Sequence, residues 1–316
     1  MKIIIIIIQI LLLGLNLFAT GETSGSIFAI NPMPVSAGFN LLSYAQATPL
    51  ESVVYNPAYT VSKDHHLGLS YEKMPLDMHY GSFVYIAPST FGESTGMGIL
   101  LKYYNSGRII KMNESGEEMG DFNVNDLMGS LSMGFHMSKS LQVGIRMNII
   151  HETLDYQKET AYNMDIGAGW DMSLFNAQKM QAGIVLLNIG TRMWDERQSL
   201  GLAGGIVLNY PFGISVLEYG IATIFRSGMD YEVGPSIRYS LKIRTSFNKF
   251  YLFKIGGGYS YGRSIDKNGF LTGLKTGAFL ETPWNIALGY EMVFYPWGNS
   301  NKFYLGYRSG FKDLVN

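Results

Sequence analysis

The chain has 316 residues, with 24 Lys and Arg against 25 Asp and Glu, so its net charge of −1 gives no indication of binding to nucleic acid or to an anionic surface. The absence of cysteine excludes disulfides and thiolate metal sites. The 37 glycines, 21 tyrosines and 18 phenylalanines, with only 16% charged residues, are typical of many short strands joined by turns.

The first residues predict export. Lys2 precedes a mostly apolar run from Ile3 to Leu13, and small or polar residues follow around Ala19. This layout indicates a cleaved secretory signal peptide, which we place at residues 1–21. A single membrane anchor is the alternative, but the run is short for a spanning helix, which needs about twenty apolar residues.

No later stretch approaches the length of a membrane-spanning helix. If the mature chain lies in a membrane, it must therefore do so as a closed barrel, because no other arrangement of strands pairs every backbone hydrogen-bonding group there.

Residues 22–65 lack a regular hydrophobic period. Pro32, Pro34, Pro49 and Pro57 indicate irregular structure, with a short helix near residues 40–47. The segment is long enough to fold into the mouth of a barrel, so we predict that it is an N-terminal plug.

From residue 66 to the end the apolar residues recur with period two. In residues 141–149 every second residue, from Leu141 to Ile149, is apolar and the residues between are polar or small. Residues 162–170, 231–239 and 286–292 alternate in the same way. We count about fourteen such segments between turn signals. They begin near His66, His79, Gly96, Val124, Ser140, Thr160, Lys179, Ser199, Ser215, Tyr231, Phe250, Phe270, Asn285 and Lys302. The prediction is an all-β fold in which residues 66–316 form an antiparallel transmembrane β-barrel of about 14 strands.

Pro235 is awkward within a strand and indicates a bulge or a misplaced turn.

A soluble β-sandwich would also alternate. A sandwich exposes its polar face to water, whereas here that face is poor in Lys and Glu, and aromatic residues recur near strand ends as in an interfacial girdle. Both features favour the barrel.

Six charged residues share the phase that faces the barrel lumen. They are Arg146, Asp165, Glu232, Arg238, Glu291 and Arg308. These side chains are candidates for contacts with a substrate headgroup; the alternative, which we favour because both signs are present, is that they pair with one another in a narrow lumen. The interleaved glycines, among them Gly144, Gly167, Gly169, Gly234 and Gly289, leave room or permit kinks.

His136 and Ser138 are the sharpest enzyme candidate. Two residues apart on a strand, they face the same side, and some outer-membrane lipid hydrolases use a His base for a Ser nucleophile. However, the pair falls at an expected turn and no orienting carboxylate can be named, so we expect no catalysis.

The remaining histidines do not predict a metal site. His65 and His66 point to opposite faces of a strand, and no ligand spacing repeats near His151. No phosphate loop or nucleotide fingerprint is present either, so we expect no metal, cofactor or nucleic-acid partner.

The N-terminal segment resembles a known family. Residues 37–40 (Ala-Gly-Phe-Asn), followed by Tyr55 and the tripeptide Asn56, Pro57, Ala58, resemble the N-terminal hatch of the FadL family of outer-membrane long-chain fatty-acid transporters. Residues 48–51 (Thr-Pro-Leu-Glu) depart from the acidic pair that the family has there, which leaves the hydrogen bonding inside the hatch open.

Further stretches resemble a subgroup. Residues 107–109, 114–126, 164–169, 185–190 and 289–308 are similar to the PorV/PorQ-type proteins of the type IX secretion apparatus and spirochaete relatives. Many outer-membrane barrels end on an aromatic residue, whereas this chain continues past Phe311 to Asn316, so we expect the strand at residues 302–311 to present the signal to the barrel-assembly machinery.

The resemblance implies an outer-membrane protein that binds or transports hydrophobic small molecules such as long-chain fatty acids. The ligand would enter from outside, rest between plug and lumen, and leave through a gap in the wall when the hatch shifts. The alternative is a PorV/PorQ-type docking protein for exported proteins. In both cases the expected surroundings are outer-membrane lipid.

Overall fold

The computed structural model describes residues 40–88, 94–173, 178–193, 196–197, 200–226, 229–244, 250–262, 273–295 and 298–310. The predicted signal peptide, residues 22–39 of the predicted plug and the tail at residues 311–316 lie outside these described residues.

Strands account for most of the described chain. In chain order they are β1 (Asp64–Lys73), β2 (His79–Pro88), β3 (Thr95–Asn105), β4 (Ile109–Met112), β5 (Glu118–Phe122), β6 (Val124–His136), β7 (Leu141–Leu154), β8 (Gln157–Ser173), β9 (Lys179–Gly190), β10 (Arg192–Met193), β11 (Glu196–Arg197), β12 (Gly201–Phe212), β13 (Ser215–Arg226), β14 (Met229–Arg244), β15 (Phe250–Gly262), β16 (Gly273–Glu281), β17 (Ile286–Tyr295) and β18 (Gly298–Gly310). β4 pairs with β5 and β10 with β11 as two separate hairpins.

The other fourteen strands form one closed antiparallel barrel. Each pairs with its neighbours in the order of the chain, and β1 pairs with β18 to close the ring, with Asp64 opposite Gly310. The prediction of an all-β antiparallel barrel of about 14 strands is confirmed. β6, β9 and β13 begin at the predicted residues Val124, Lys179 and Ser215. The agreement is expected because side chains alternate between the two faces only along the pleated backbone of a strand.

The barrel is apolar outside, while its inner face combines polar and small residues with apolar ones that form a core with the N-terminal segment. On β1 and β3 the side chains of Leu69, Tyr71, Leu101 and Tyr103 are exposed on the outer surface, and most strands repeat this pattern. A continuous exposed apolar surface of this kind suits lipid and would be a liability in water.

The two ends of the barrel differ. The N-terminal segment enters at the end where β1 begins, and the turns at this end are short, such as residues 137–140 and 213–214. The longest connection that the structure describes without a gap, residues 106–123, lies at the other end. Bacterial outer-membrane barrels have short turns at the periplasmic end and longer loops outside.

Pro235 lies inside β14 rather than at a turn. Its neighbours keep the same register with β15 on both sides, with Val233 opposite Tyr261 and Ser236 opposite Gly258, so there is no bulge either. Instead, the pairing with β15 is interrupted at Gly234 and Pro235, as expected for a residue without an N–H group. The expectation of a bulge or turn was therefore wrong.

Candidate functional site

The described part of the N-terminal segment, residues 40–63, lies in the lumen and is called the hatch below. It consists of a 3-10 helix at Asn40–Tyr44, one helical turn at Pro49–Ser52 and a second 3-10 helix at Pro57–Thr60. None of the helices in the described residues is long and apolar enough to cross a membrane.

Glu51 organises the hatch. Its Oε2 accepts a hydrogen bond from the backbone N–H of Thr48 (2.8 Å), and its Oε1 accepts one from the hydroxyl of Ser43 (3.2 Å). Thr48 in turn caps the helical turn Pro49–Ser52, which completes a capping box. Glu51 thus supplies the internal hydrogen bonding that the departure at residues 48–51 left open.

Asn56 joins the hatch to the wall. Its Oδ1 accepts from the N–H of Ala58 (3.1 Å), while its Nδ2 donates to the carbonyl oxygens of Tyr44 (2.8 Å) and of Ala168 on β8 (3.2 Å). The side chain is fully buried, so each lost bond would leave a buried polar group unpaired. Pro57 follows as the first residue of the 3-10 helix, where its missing N–H costs nothing.

Tyr59 makes a second connection of the same kind. Its one hydroxyl proton is shared between the carbonyl oxygens of Ala45 in the hatch (2.5 Å) and of Ala182 on β9 (3.1 Å). Burial raises the pKa of the Tyr59 hydroxyl, so the group stays protonated and remains a donor.

Glycines of the inner face form the surface on which the hatch lies. A Cβ at Gly134 would lie 2.9 Å from the carbonyl oxygen of Pro57, and one at Gly169 would lie 2.5 Å from the ring of Tyr59. Cβ atoms elsewhere in this set would overlap hatch backbone or the side chain of Asn56. We call the set the glycine seat: Gly96, Gly134, Gly144, Gly167, Gly169 and Gly183. The hatch lies where a side chain at Gly144, Gly167 or Gly169, three of the glycines named from the sequence, would otherwise stand.

Arg146 on β7 holds the end of the helical turn. Its Nη1 donates to the carbonyl oxygens of Val53 and Val54, both at 2.6 Å, and its Nε donates to Asp165 Oδ2 on β8 at 2.7 Å. Arg146 and Asp165 are both buried, so this is a desolvated ion pair whose cation also binds the hatch.

Asp165 is satisfied from several sides. Its Oδ2 also accepts from Asn148 Nδ2 (2.8 Å), and its Oδ1 accepts from the backbone N–H of Asn188 (2.6 Å). The register between β8 and β9 shifts at this point, and Asn188 adopts a positive φ of 59°. The carboxylate thus pairs an N–H group that the bulge frees from the ladder.

The other predicted lumen charges are distributed over separate pairs. Arg238 binds Glu218 with two hydrogen bonds of 2.6 and 2.9 Å, and Glu291 lies 3.4 Å from Lys302. Arg308 is half-exposed and pairs with Glu281 at 3.0 Å. Glu232 is partly buried on β14. Of the six predicted residues, Arg146 and Asp165 contact each other.

Several of the charged residues in these pairs were not predicted from the sequence. Glu218 binds Arg238 and the hatch residue Gln46 (2.7 Å), and Glu72 and Lys302 form a buried pair at 3.6 Å. All three sit at inward positions of their own strands, so the alternation that located Arg238 could also have located them.

A cavity of about 170 Å³ lies beside the hatch. One side is formed by hatch residues 48–50, the other by inner positions of β1 and β15–β18, including Lys254, Phe279 and Tyr304. This side of the lumen is opposite in the ring to the glycine seat on β3 and β6–β9. The hatch is therefore seated against one part of the wall and leaves space along the other.

The outer wall carries a second concave feature. β12–β16 leave a depression of about 780 Å³ on the lipid-facing surface, and Pro235, Gly257 and Gly258 are part of its lining. Its larger lining residues are apolar: Ile206, Tyr219, Ile221, Ile237, Tyr259 and Leu274. Directly behind it, a Cβ on Gly234 would lie 2.9 Å from Leu41 of the hatch. At this point Gly234, which has no side chain, stands between the depression and Leu41 of the hatch.

His136 and Ser138 lie at a turn. His136 is exposed at the end of β6, and Ser138 Oγ accepts hydrogen bonds from the N–H groups of Ser140 (3.3 Å) and Leu141 (3.1 Å). The serine is therefore a turn residue. Within the described residues, no group of three or more His, Asp or Glu is arranged to hold a metal ion.

Comparison with solved structures places this barrel among known ones. The chain is similar to the toluene transporter TodX of Pseudomonas putida, with a TM-score of 0.56 and 10% identity over 93% of this chain and 99% of that chain. A TodX monoaromatic hydrocarbon channel with the deltaS2 mutation gives 0.59 and 10% over 88% and 99%, and the CymD monoaromatic hydrocarbon channel gives 0.54 and 10% over 92% and 99%. The chain has the fold of these hydrocarbon channels. No protein-family model and no curated protein matches the sequence.

Proposed function

We propose that the chain is an outer-membrane channel for hydrophobic small molecules, exported by its signal peptide and gated by the hatch. The observation that carries the proposal is the position of Leu41. This hatch residue lies behind Gly234, where an apolar depression in the lipid-facing wall coincides with an interrupted ladder. Similarity in fold to hydrocarbon channels supports the same class of cargo.

In the proposed mechanism the wall opens between β14 and β15. The ladder to β15 is interrupted at Gly234 and Pro235, so fewer hydrogen bonds oppose separation there than along the rest of this ladder. A shift of the hatch would withdraw Leu41 and connect the lumen with the depression. An apolar ligand would then pass into the membrane without crossing water.

Long-chain fatty acids are the cargo that the resemblance to the FadL family favours. The long connections would face outside and the hatch would lie near the periplasmic end, in line with the usual orientation of outer-membrane barrels. Ligand would enter past the long connections and meet the hatch within the lumen.

Uptake by intact bacterial cells tests the proposal, because phospholipid vesicles are themselves permeable to such compounds. Cells whose outer membrane carries the chain are compared with cells carrying an unrelated barrel of similar size. We expect faster uptake of radiolabelled oleate, of toluene, or of both. Equal uptake of both compounds in the two strains would exclude the proposed channel.

A second candidate is a docking protein of the PorV/PorQ type. The observation that favours it is the β4–β5 hairpin at the end with long connections, on which Ile110, Met112 and Met119 are exposed. Exposed apolar side chains outside the lipid-facing belt are a feature of protein interaction sites.

Deletion of residues 109–122 separates the two candidates. A docking protein would lose its bound exported proteins in a pull-down from its own cells, while uptake of oleate and toluene would be unaffected. A channel without a docking role would show no specific protein partner in either form.

A further inference from the structure

The depression of about 780 Å³ on the lipid-facing wall is a groove that follows the register of the strands. One side is formed by residues that lie opposite one another on consecutive strands: Ile206, Ile221 and Pro235. The other side is a second row of the same kind: Leu208, Tyr219, Ile237 and Gly257. The groove therefore lies between two neighbouring rows of outward residues and runs across the strands.

Between the two rows the surface of the wall consists of backbone. Gly220, Ser236 and Gly258 lie opposite one another on β13, β14 and β15, and all three line the depression. Their side-chain positions alternate with those of the two rows, so they point into the lumen and leave the outer surface flat. The sides of the groove are lowest at Gly257 and Pro235, which carry no long side chain. The result is a channel-shaped recess with a floor of backbone and apolar sides.

The dimensions of the groove follow from strand geometry. Neighbouring strands lie about 4.8 Å apart, so the four spacings from β12 to β16 give the groove a length of about 19 Å. The two rows are two residues apart along each strand, which separates them by about 7 Å. A long and narrow recess of this kind suits one extended hydrocarbon chain better than a compact molecule.

The surroundings of the groove limit what can fill it. Tyr219, Ile221 and Ile237 are exposed and belong to the apolar belt that meets lipid, so the groove is continuous with the lipid interface. Among the described residues that line it, none is charged, so an apolar tail fits and a headgroup does not. Water is absent from the hydrocarbon region, and an empty groove would leave its lining without dispersion contacts. A second copy of the barrel would rest its own belt on the two sides and leave the floor uncovered.

We propose that the groove binds one acyl chain of a membrane lipid, which lies across β12–β16. Pro235 belongs to one side of the groove, and Leu41 of the hatch lies behind its neighbour Gly234. The acyl chain thus covers from the lipid side the same part of the wall that the hatch covers from the lumen. The consequence for transport rests on the proposed channel function: cargo that leaves between β14 and β15 has to displace this chain.

Photo-cross-linking in vesicles tests the site. The purified full-length barrel is folded into phosphatidylcholine vesicles that contain a small fraction of phosphatidylcholine with a diazirine in the middle of one acyl chain. After irradiation, proteolysis and mass spectrometry locate the adducts. We expect Ile221 and Tyr219 to be labelled several-fold more than Ile149 and Tyr162, which are exposed on the outer faces of β7 and β8 away from the groove.

Ile237→Trp is the variant that fills the groove. Ile237 lies between Tyr219 and Gly257 in its row, so an indole there reaches over the floor, and labelling of Ile221 and Tyr219 should fall several-fold. Ile243→Trp is the matched control, because Ile243 is exposed on the same strand but does not line the groove. Native mass spectrometry should find a phospholipid retained by the original chain and by Ile243→Trp, and lost from Ile237→Trp. Heat-modifiable migration in gels verifies that each variant forms a closed barrel.

Dense labelling of the groove that Ile237→Trp lowers and Ile243→Trp leaves unchanged supports the site. Labelling of Ile221 and Tyr219 that is no denser than that of Ile149 and Tyr162, or that persists in Ile237→Trp, would overturn the proposal. A dimer in native mass spectrometry that Ile237→Trp dissociates would also overturn it, since the groove would then hold a second copy of the chain.

The outcome for the groove is separate from the outcome for the channel. Faster uptake of oleate or toluene by intact cells would still support the channel if the groove is not labelled. Equal uptake beside a densely labelled groove would exclude the channel and leave the acyl-chain site in place.

Discussion

The guanidinium of Arg146 lies 2.6 Å from the carbonyl oxygen of Val54, although 92 positions separate the two residues in the chain. The same Nη1 binds the carbonyl oxygen of Val53, and the guanidinium also holds Asp165. A single wall residue thus connects a buried ion pair with the end of the helical turn in the hatch. Loss of this residue should affect barrel stability and hatch position together.

Arg146→Met is expected to lower the free energy of unfolding by about 3–5 kcal/mol, because it leaves the carboxylate of Asp165 buried without its cation. Urea titration of the folded barrel in lipid vesicles measures the change. The double variant Arg146→Met, Asp165→Asn should recover part of the loss, since no unpaired charge remains. A single variant as stable as the original chain would contradict the assigned role.

Gly144→Ala should displace the hatch from the glycine seat. The new Cβ would overlap the carbonyl group of Pro57, so the hatch must shift while the barrel keeps its ladder. We expect a higher single-channel conductance in planar bilayers than for the original chain. Gly129→Ala is the control, since a Cβ there meets Ile149 at an ordinary 3.4 Å. Equal conductance in all three proteins would show that the seat does not position the hatch.

Asn56→Ala removes three hydrogen bonds that involve the hatch. At roughly 0.5–1.5 kcal/mol each, the hatch should lose about 2–4 kcal/mol of local stability. Hydrogen exchange measures this as faster exchange of residues 40–63, with the barrel strands unchanged. Asn113→Ala in the β4–β5 hairpin, where Asn113 Oδ1 also accepts backbone hydrogen bonds, should leave hatch exchange as it was.

The barrel could be predicted from the sequence because the alternation within each strand shows which residues face inward and which face outward. In residues 141–149 the alternation alone places Arg146 inside, and it does so without knowledge of any partner. The glycine seat could not be derived in the same way. Gly144 and Gly167 were recognised as inward residues, but their role depends on docking with Asn56 and Pro57, which are distant in the chain.

The ion pairs of the lumen could not be predicted from the sequence either. The strand phase identifies Arg238 as a lumen residue, whereas its pairing with Glu218 depends on the register between β13 and β14, which places the two opposite each other. Register follows from turn lengths and the shear of the closed barrel, and the alternation of one strand contains neither.

Pro235→Val should strengthen the wall where we propose that it opens. The substitution restores an N–H group that can pair with β15, so we expect slower uptake of oleate and toluene by intact cells. Pro211→Val on β12, at an exposed position near a strand end, is the control and should leave uptake unchanged. Unchanged uptake in Pro235→Val would place the exit elsewhere.

The most direct test of a mobile hatch is a reversible cross-link to the wall. A Cβ at Gly98 on β3 would lie 3.0 and 3.3 Å from the two Cγ atoms of Val53, which brings a Val53→Cys, Gly98→Cys pair within disulfide range in a chain without native cysteine. Uptake of oleate and toluene is measured in cells carrying the oxidised and then the reduced pair. We predict that oxidation stops uptake and that reduction restores it; full uptake with the disulfide formed would contradict a hatch that must move.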